Sequence, residues 1–282
     1  MISVGCSVCG SCRSCTFLEE GMWHVVSCNN CGHLYTQKLN DAGDYVAKYQ
    51  KAGNWIKAES VSDDCDSAYR FESYANEVER LLEPAARVLE IGCSKGFLLK
   101  QLQGRGFDCY GVEPGQDAII ARDLLGQERV YHEYYSAPLP LQVDIVTMWE
   151  VLEHIPEPDN VVETVFRQLS QGGYFMGSVP NGSFIRLKVL PKRMLGIKSM
   201  IVPLIMDAGN HINYFDSYGL GQMLRRLGFE VLWIKNAPLD FNYVANRYSP
   251  VIKRAWWQLA RLVQSISGKL IGSNIMFLAQ KQ

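Results

Sequence analysis

The segment VLEIGCSKGFLL, residues 88–99, constrains the fold more than any other stretch of the chain. An apolar run ends at Glu90 and Ile91, Gly92 and Gly96 shape a turn, and apolar residues at helical spacing follow. Glycines in such a turn adopt backbone angles closed to other residues, and the helix behind them offers free N–H groups to a ligand. The pattern then repeats. Strand-like runs occur at 87–91, 107–113, 129–133, 143–149, 173–179, 229–235 and 274–280, with helical patterns at 96–104, 116–125, 159–169 and 217–227. Strands alternating with helices form βαβ units. The chain is therefore predicted to be α/β, with a Rossmann-like, mostly parallel sheet of seven strands flanked by helices. Ligands in such folds lie over the carboxyl ends of the strands.

Six of the nine cysteines fall in the first 31 residues. Cys6/Cys9 and Cys28/Cys31 are both C-x-x-C pairs, followed by Gly10 and Gly32. Two such knuckles suit a tetrahedral four-sulfur zinc site, which has no open position and is structural. Cys12/Cys15 offer an alternative first pair. Cys65, Cys93 and Cys109 are single and read as small apolar residues. Residues 1–38 are thus expected to form a zinc-binding ribbon.

With a formal net charge of −1 over 282 residues, no global field draws the chain to nucleic acid. The first residues lack a secretory h-region, and the longest apolar run, at 200–206, is short and contains Pro203. Both features predict a soluble, cytoplasmic protein.

A dinucleotide fingerprint requires glycine at 94 and 97, where this chain has Ser94 and Phe97. About twenty residues after the turn, Glu113 ends the next strand, where a carboxylate can accept both hydroxyls of a ribose. The spacing of Glu90, Gly92 and Gly96, with Cys93 and Ser94 inside the turn, resembles motif I of class I S-adenosylmethionine-dependent methyltransferases; Ser94 departs from the family's usual glycine. DIVTMWEVLEHIPEP, residues 144–158, resembles small-molecule methyltransferases of the ubiquinone and sugar type. This resemblance implies that Trp149 and Glu150 line the cofactor pocket. His154 is then either a general base or a bracing histidine.

SVPNGSF at 178–184 and the run from Asn210 resemble that family's late strand and the entrance to its next helix. There His211 is a candidate base or a brace for the lid, and Asn181 and Tyr214 are candidates for orienting the acceptor. MWHVVSCNNCGHLYTQ, residues 22–37, is similar to the zinc-binding front of certain sugar C-methyltransferases.

The resemblance implies S-adenosylmethionine as cofactor beside structural Zn2+. The implied acceptor is an O or C atom of a small polar molecule: a sugar, a nucleotide-sugar or a surface-glycan precursor. It divides the chain into the ribbon, a helical, cofactor-covering linker at 39–83 and a methyltransferase domain at 84–282 with insertions at 181–210 and 236–273. Tyr45, Tyr49 and Trp55 belong to the linker, whose helical pattern runs over 67–83. The second insertion carries an amphipathic, tryptophan-bearing stretch at 251–266.

In the first insertion Arg186, Lys188, Lys192, Arg193 and Lys198 alternate with Ile185, Leu187, Leu190, Leu195 and Ile197. That mixture fits a solvated lid, an RNA contact or a membrane surface offering a lipid-linked glycan. An RNA methyltransferase and a non-catalytic, partner-docking module are the competing functions; the near-neutral charge argues against a large RNA footprint.

Overall fold

The computed structural model describes residues 5–20, 23–37, 65–194, 206, 210–238 and 250–282. The linker aromatics Tyr45, Tyr49 and Trp55, and Leu195, Ile197 and Lys198 of the first insertion, lie outside these residues.

In chain order the elements are β1 (Ser14–Glu20), β2 (Trp23–Cys28), β3 (Leu34–Thr36), α1 (Cys65–Glu79), β4 (Arg87–Ile91), α2 (Phe97–Gly104), β5 (Asp108–Val112), α3 (Asp117–Leu125) and β6 (Val130–Tyr131). They continue with β7 (Val143–Trp149), α4 (Pro158–Gln168), β8 (Leu169–Pro180), α5 (Gly182–Met194), β9 (Asn213–Tyr214), α6 (Ser217–Arg226), β10 (Phe229–Asn236), α7 (Pro250–Ser267) and β11 (Asn274–Lys281). Seven strands form one sheet in the order β10-β11-β8-β7-β4-β5-β6. Every pairing from β8 to β6 is parallel, and β11 runs antiparallel to both β8 and β10.

The central strands are covered on both faces, so they read as apolar runs without alternation. Val88 and Leu89 of β4 and Ile145 and Val146 of β7 are fully buried. Pro158 starts α4, where its missing N–H costs nothing, and Val161, Val162 and Val165 turn to the sheet. β8 begins four residues ahead of its apolar core. Leu169 pairs with Val143 and Tyr174 with Ile145, so residues 170–173 form an irregularity in the register against β7.

The N-terminal sheet is antiparallel, β1-β2-β3, and its fourth strand is β9, from the far side of the first insertion. Ribbon residues Cys6, Val8, Val26, Cys28 and Tyr35 share one core with Phe215, Leu220, Met223 and Leu224. The ribbon is thus packed into the body of the protein. Helix α1 lies over α2, burying Phe71, Tyr74 and Val78 with Leu98, Leu99 and Leu102, and Arg105 anchors it through Asn76 and Glu79. Among the described residues no helix is long and apolar enough to cross a membrane.

Candidate active site

The turn after β4 has three left-handed residues: Gly92 at φ +75°, Ser94 at +46° and Gly96 at +77°. A Cβ on Gly92 would lie 2.5 Å from Val151 Cγ2, so both the backbone angle and the space call for glycine. Ser94 holds its unfavourable angle through two bonds. Its N–H donates to Glu113 Oε2 at 2.9 Å and its hydroxyl to Asp117 Oδ2 at 2.7 Å. The second bond needs a side chain, which accounts for serine where the resembling family has glycine.

Glu113 is clamped from both sides, because its Oε1 accepts the N–H of Gly115 at 2.7 Å. Burial pushes its carboxyl pKa up, and the N–H bonds from Gly115 and Ser94 oppose that rise. Each oxygen of a carboxylate has further acceptor capacity. A clamped, nearly buried carboxylate at a strand's carboxyl end is therefore a rigid double acceptor for vicinal hydroxyls.

Glu90 is buried beneath the turn, and burial, then the charge of Glu113, pushes its carboxyl well above the usual range. Glu90 Oε2, Thr147 Oγ1, Trp149 Nε1 and Ser178 Oγ are buried without a hydrogen-bond partner among the described residues. Glu90 pairs with Thr147 in register, and Trp149 with Ser178. An unsatisfied buried polar atom costs about 1–3 kcal/mol. Four of them lie on the adjacent strands β4, β7 and β8, where a polar ligand would satisfy them.

Helix α1 closes the edge of this place. Tyr74 stacks on Trp149 with ring centroids 3.7 Å apart and planes at 6°. Arg70 donates to Glu150 Oε1 at 3.2 Å, and the Asn274 amide donates to the same oxygen at 2.8 Å. Glu150 itself sits at φ +56° with its N–H on Ser178 O. Arg70, Tyr74, Asp117 and Asn274 have no local signature; only the fold brings them to Glu150, Trp149 and Ser94.

Beyond Glu150, the one-turn helix Leu152–His154 faces His211. The rings of His154 and His211 lie 4.9 Å apart. His154 Nδ1 is 3.0 Å from Asn210 O, which only accepts, so in the neutral ring Nδ1 carries the proton and Nε2 keeps its lone pair. That Nε2 is 3.8 Å from Glu153 Oε1, and one ligand atom from each of Glu153, His154 and His211 lies within 4.8 Å of the others.

The two residues expected to orient an acceptor are engaged elsewhere. Asn181 is buried, with its amide donating to Leu270 O and Gly272 O and its carbonyl accepting from Ser183 N–H. Tyr214 is buried against the ribbon and donates its hydroxyl to His211 O.

In the ribbon, Cys6 Sγ is 3.6 Å from Cys31 Sγ, Cys9 Sγ is 3.6 Å from Cys28 Sγ, and all four sulfurs lie within 4.8 Å of one another. Zn–S bonds of about 2.3 Å in a tetrahedron place sulfurs about 3.8 Å apart, so this set fits one ion. Gly10 and Gly32 take φ +73° and +74°, and each donates its N–H to the first cysteine of its knuckle. Cys12 and Cys15 are exposed and outside the cluster. Burial raises the thiols of Cys6 and Cys31, the latter to about 11. Burial acts the same way on Cys9, but hydrogen bonds from the Asn30 side chain and the Ser11 backbone outweigh it and bring that thiol to about 7.

A chain of polar contacts runs from the knuckles to the histidines. His33 Nε2 and Ser7 Oγ each meet Asn213 Oδ1 at 3.4 Å, and the Asn213 amide donates to Ile155 O at 2.7 Å. Thr36 donates its N–H to Ile212 O and its hydroxyl to His211 O. Arg226 reaches Ser7 O and Val8 O, and Arg186 reaches Gly32 O.

The sheet order, the glycine turn and the clamped carboxylate after the second parallel strand define an α/β domain of the nucleoside-binding kind. The chain belongs, more narrowly, to the methyltransferase-domain family, which it matches over residues 67–233. It is similar to the ubiquinone biosynthesis O-methyltransferase of Pseudomonas entomophila strain L48, with 27% identity over 153 residues, 48% of this chain and 66% of that one. The chain thus spans just under two thirds of that relative's length. The protein of the same name from Leptothrix cholodnii is 26% identical over 182 residues, 60% of this chain and 71% of the other. Among solved structures, the S-adenosylmethionine dependent methyltransferase from Mesorhizobium loti has a TM-score of 0.51 at 14% identity, covering 75% of this chain and 100% of that one, a likeness of fold. The relatives' names concern ubiquinone biosynthesis, not the sugars that the sequence alone suggested.

Proposed function

We propose that the protein transfers a methyl group from S-adenosylmethionine to a hydroxyl oxygen of a small acceptor, with a structural zinc ion in its ribbon. The observation that carries this reading is Glu113, held rigid at the end of β5 by the N–H groups of Ser94 and Gly115. Glu113 would hold the ribose hydroxyls, the turn 92–96 the amino acid end, and Glu90 the ammonium. Trp149, on the same strand ends, would bound the pocket. Bound S-adenosylmethionine would supply a methyl carbon activated by a sulfonium, which needs no catalytic metal. The protein's remaining tasks are to align the acceptor, exclude water and take one proton. Cys6, Cys9, Cys28 and Cys31 would hold Zn2+ with no open position.

His211, whose ring lies 4.9 Å from that of His154, would take the acceptor's proton. His211→Ala is expected to lower kcat about 10²–10⁴-fold while leaving cofactor affinity unchanged. The assay offers methyl-labelled S-adenosylmethionine to separated pools of hydroxylated aromatics, nucleotide-sugars, lipid-linked glycans and RNA. Label in a small-molecule or glycan pool that drops in the variant supports the reading. Label in RNA alone would overturn it, and a variant at full rate would make His211 a brace.

A second reading of the same end rests on the convergence of Glu153, His154 and His211. One carboxylate and two imidazoles also suit a divalent cation, and a cation held there would lower the pKa of a coordinated hydroxyl. Mn2+ binding followed by electron paramagnetic resonance separates the two. Tight binding lost in Glu153→Gln favours the cation; no binding leaves the proton to His211.

A further inference from the structure

Nine large apolar side chains are exposed among the described residues, and five of them belong to two helices: Leu187 and Leu190 on α5, and Leu259, Leu262 and Ile266 on α7. These helices touch through Phe184 and Trp256, whose rings are 6.0 Å apart. Their inner faces are fixed. Ile185 and Val189 of α5 are buried with Phe17 and Leu34 of the ribbon. On α7, Ala260 is buried, and its carbonyl and Gln264 Oε1 both accept from the Asn236 amide. Leu259, Leu262 and Ile266 are spaced three and four residues apart, so they form one stripe on the side away from that anchor.

The charge of these segments is as one-sided as their apolar face. Residues 182–206 and 250–273 contain nine Lys and Arg and no Asp or Glu. The rest of the chain then holds 19 of its 28 basic residues against all 29 acidic ones. Lys188 lies over the Phe184 ring at 4.0 Å, and Arg261 over the Trp257 ring at 4.8 Å. Lys188, Arg261 and Lys269 are exposed. Basic heads, aromatic rings and protruding leucines on two touching helices are the composition of helices that lie in a lipid headgroup layer. A polyanion such as RNA would use the cations and leave the five apolar side chains without a role.

We propose that the outer face of α5 and α7 docks onto the surface of an anionic lipid bilayer. Both helices flank the carboxyl end of the sheet. Helix α5 follows β8 directly, and the segment after α7 delivers Asn274 to Glu150. Docking by this face would hold the acceptor end of the site against the bilayer, which suits an amphiphilic acceptor. That last step rests on the function proposed above, whereas the docking does not.

The test is co-sedimentation of the full, zinc-loaded chain with phosphatidylcholine vesicles, with and without phosphatidylglycerol, at low and high salt. The protein is expected to sediment with the phosphatidylglycerol vesicles at low salt and to leave them at high salt. The triple variant Leu259→Glu/Leu262→Glu/Ile266→Glu is expected to lose at least about tenfold of that binding with S-adenosylmethionine affinity unchanged. Tyr218→Glu, an exposed apolar position on α6, serves as the control and should sediment as the wild type does. No sedimentation, or equal sedimentation of the triple variant, would overturn the proposal. So would homopolymer RNA displacing the vesicles and binding the triple variant as well as the wild type. Loss of methyl transfer without loss of sedimentation would count against the catalytic reading alone.

Discussion

Gly92→Val is expected to abolish S-adenosylmethionine binding with little change elsewhere in the fold. Two effects act together. At φ +75° an L-residue carries a handedness cost of about 1–2 kcal/mol, and a β-branched one is worse placed still. The new Cβ also lies 2.5 Å from Val151 Cγ2, and Val151 immediately precedes the helix that bears Glu153 and His154. Relief of either strain moves the N–H groups of Gly92 and Cys93 off Val112 O and, two residues on, the Ser94 N–H off Glu113. Each 1.4 kcal/mol is a tenfold change in affinity, so Gly92→Ala should weaken binding by about tenfold or more and the valine variant beyond detection. The double variant Gly92→Ala/Val151→Ala should recover the part due to the contact and keep the part due to the backbone angle. Calorimetric titration of the three variants reads both parts. Wild-type affinity in Gly92→Ala would remove the turn from the site.

Stripping the ribbon of metal is expected to separate methyl transfer from cofactor binding. The turn at 92–96, proposed to hold the cofactor, lies between β4 and β5, whereas the ribbon meets the body at β9 and at the run from His211 to Phe215. A structural zinc site contributes on the order of 10–16 kcal/mol to the folding of its unit. Its loss should free Thr36 and Asn213 from their bonds to His211 O and Ile155 O. A displacement of about 1 Å near the reacting groups can cost about 10²-fold in rate. Cys28→Ser, or chelation of the wild type, should therefore drop turnover by about that factor and lower the melting temperature. Affinity for S-adenosylmethionine should stay near its wild-type value. Unchanged turnover would show the ribbon to be an independent appendage. The same measurement addresses the partner-docking alternative, in which the ribbon has no part in the reaction.

Much of the fold was readable because buried parallel strands advertise themselves. β4 and β7 are mainly apolar around the fully buried Val88, Leu89, Ile145 and Val146, and lie where the sequence places them, at Arg87–Ile91 and Val143–Trp149. The turn was readable because glycine at left-handed angles has no substitute, and the same logic favours Cys6 over Cys12, since Gly10 needs φ +73°. Pairing across long separations was not readable. β9 is two residues long and finds β3 from 175 or more positions away, with no local pattern to announce it. Polar residues were the least legible. Asn181 precedes the first insertion and Tyr214 follows His211 by three residues, and the polar groups of both bond to backbone, while Asp117, Arg70 and Asn274 carry contacts that no spacing foretells. Residue type states what a side chain can do, and only tertiary placement decides which partner it has.

The most direct test of the account is calorimetric titration of S-adenosylhomocysteine into the zinc-loaded protein and, side by side, into Gly92→Val. Saturable, one-to-one binding by the wild type and none by the variant is the expected result. Absence of binding by the wild type, or equal binding by both proteins, would contradict it.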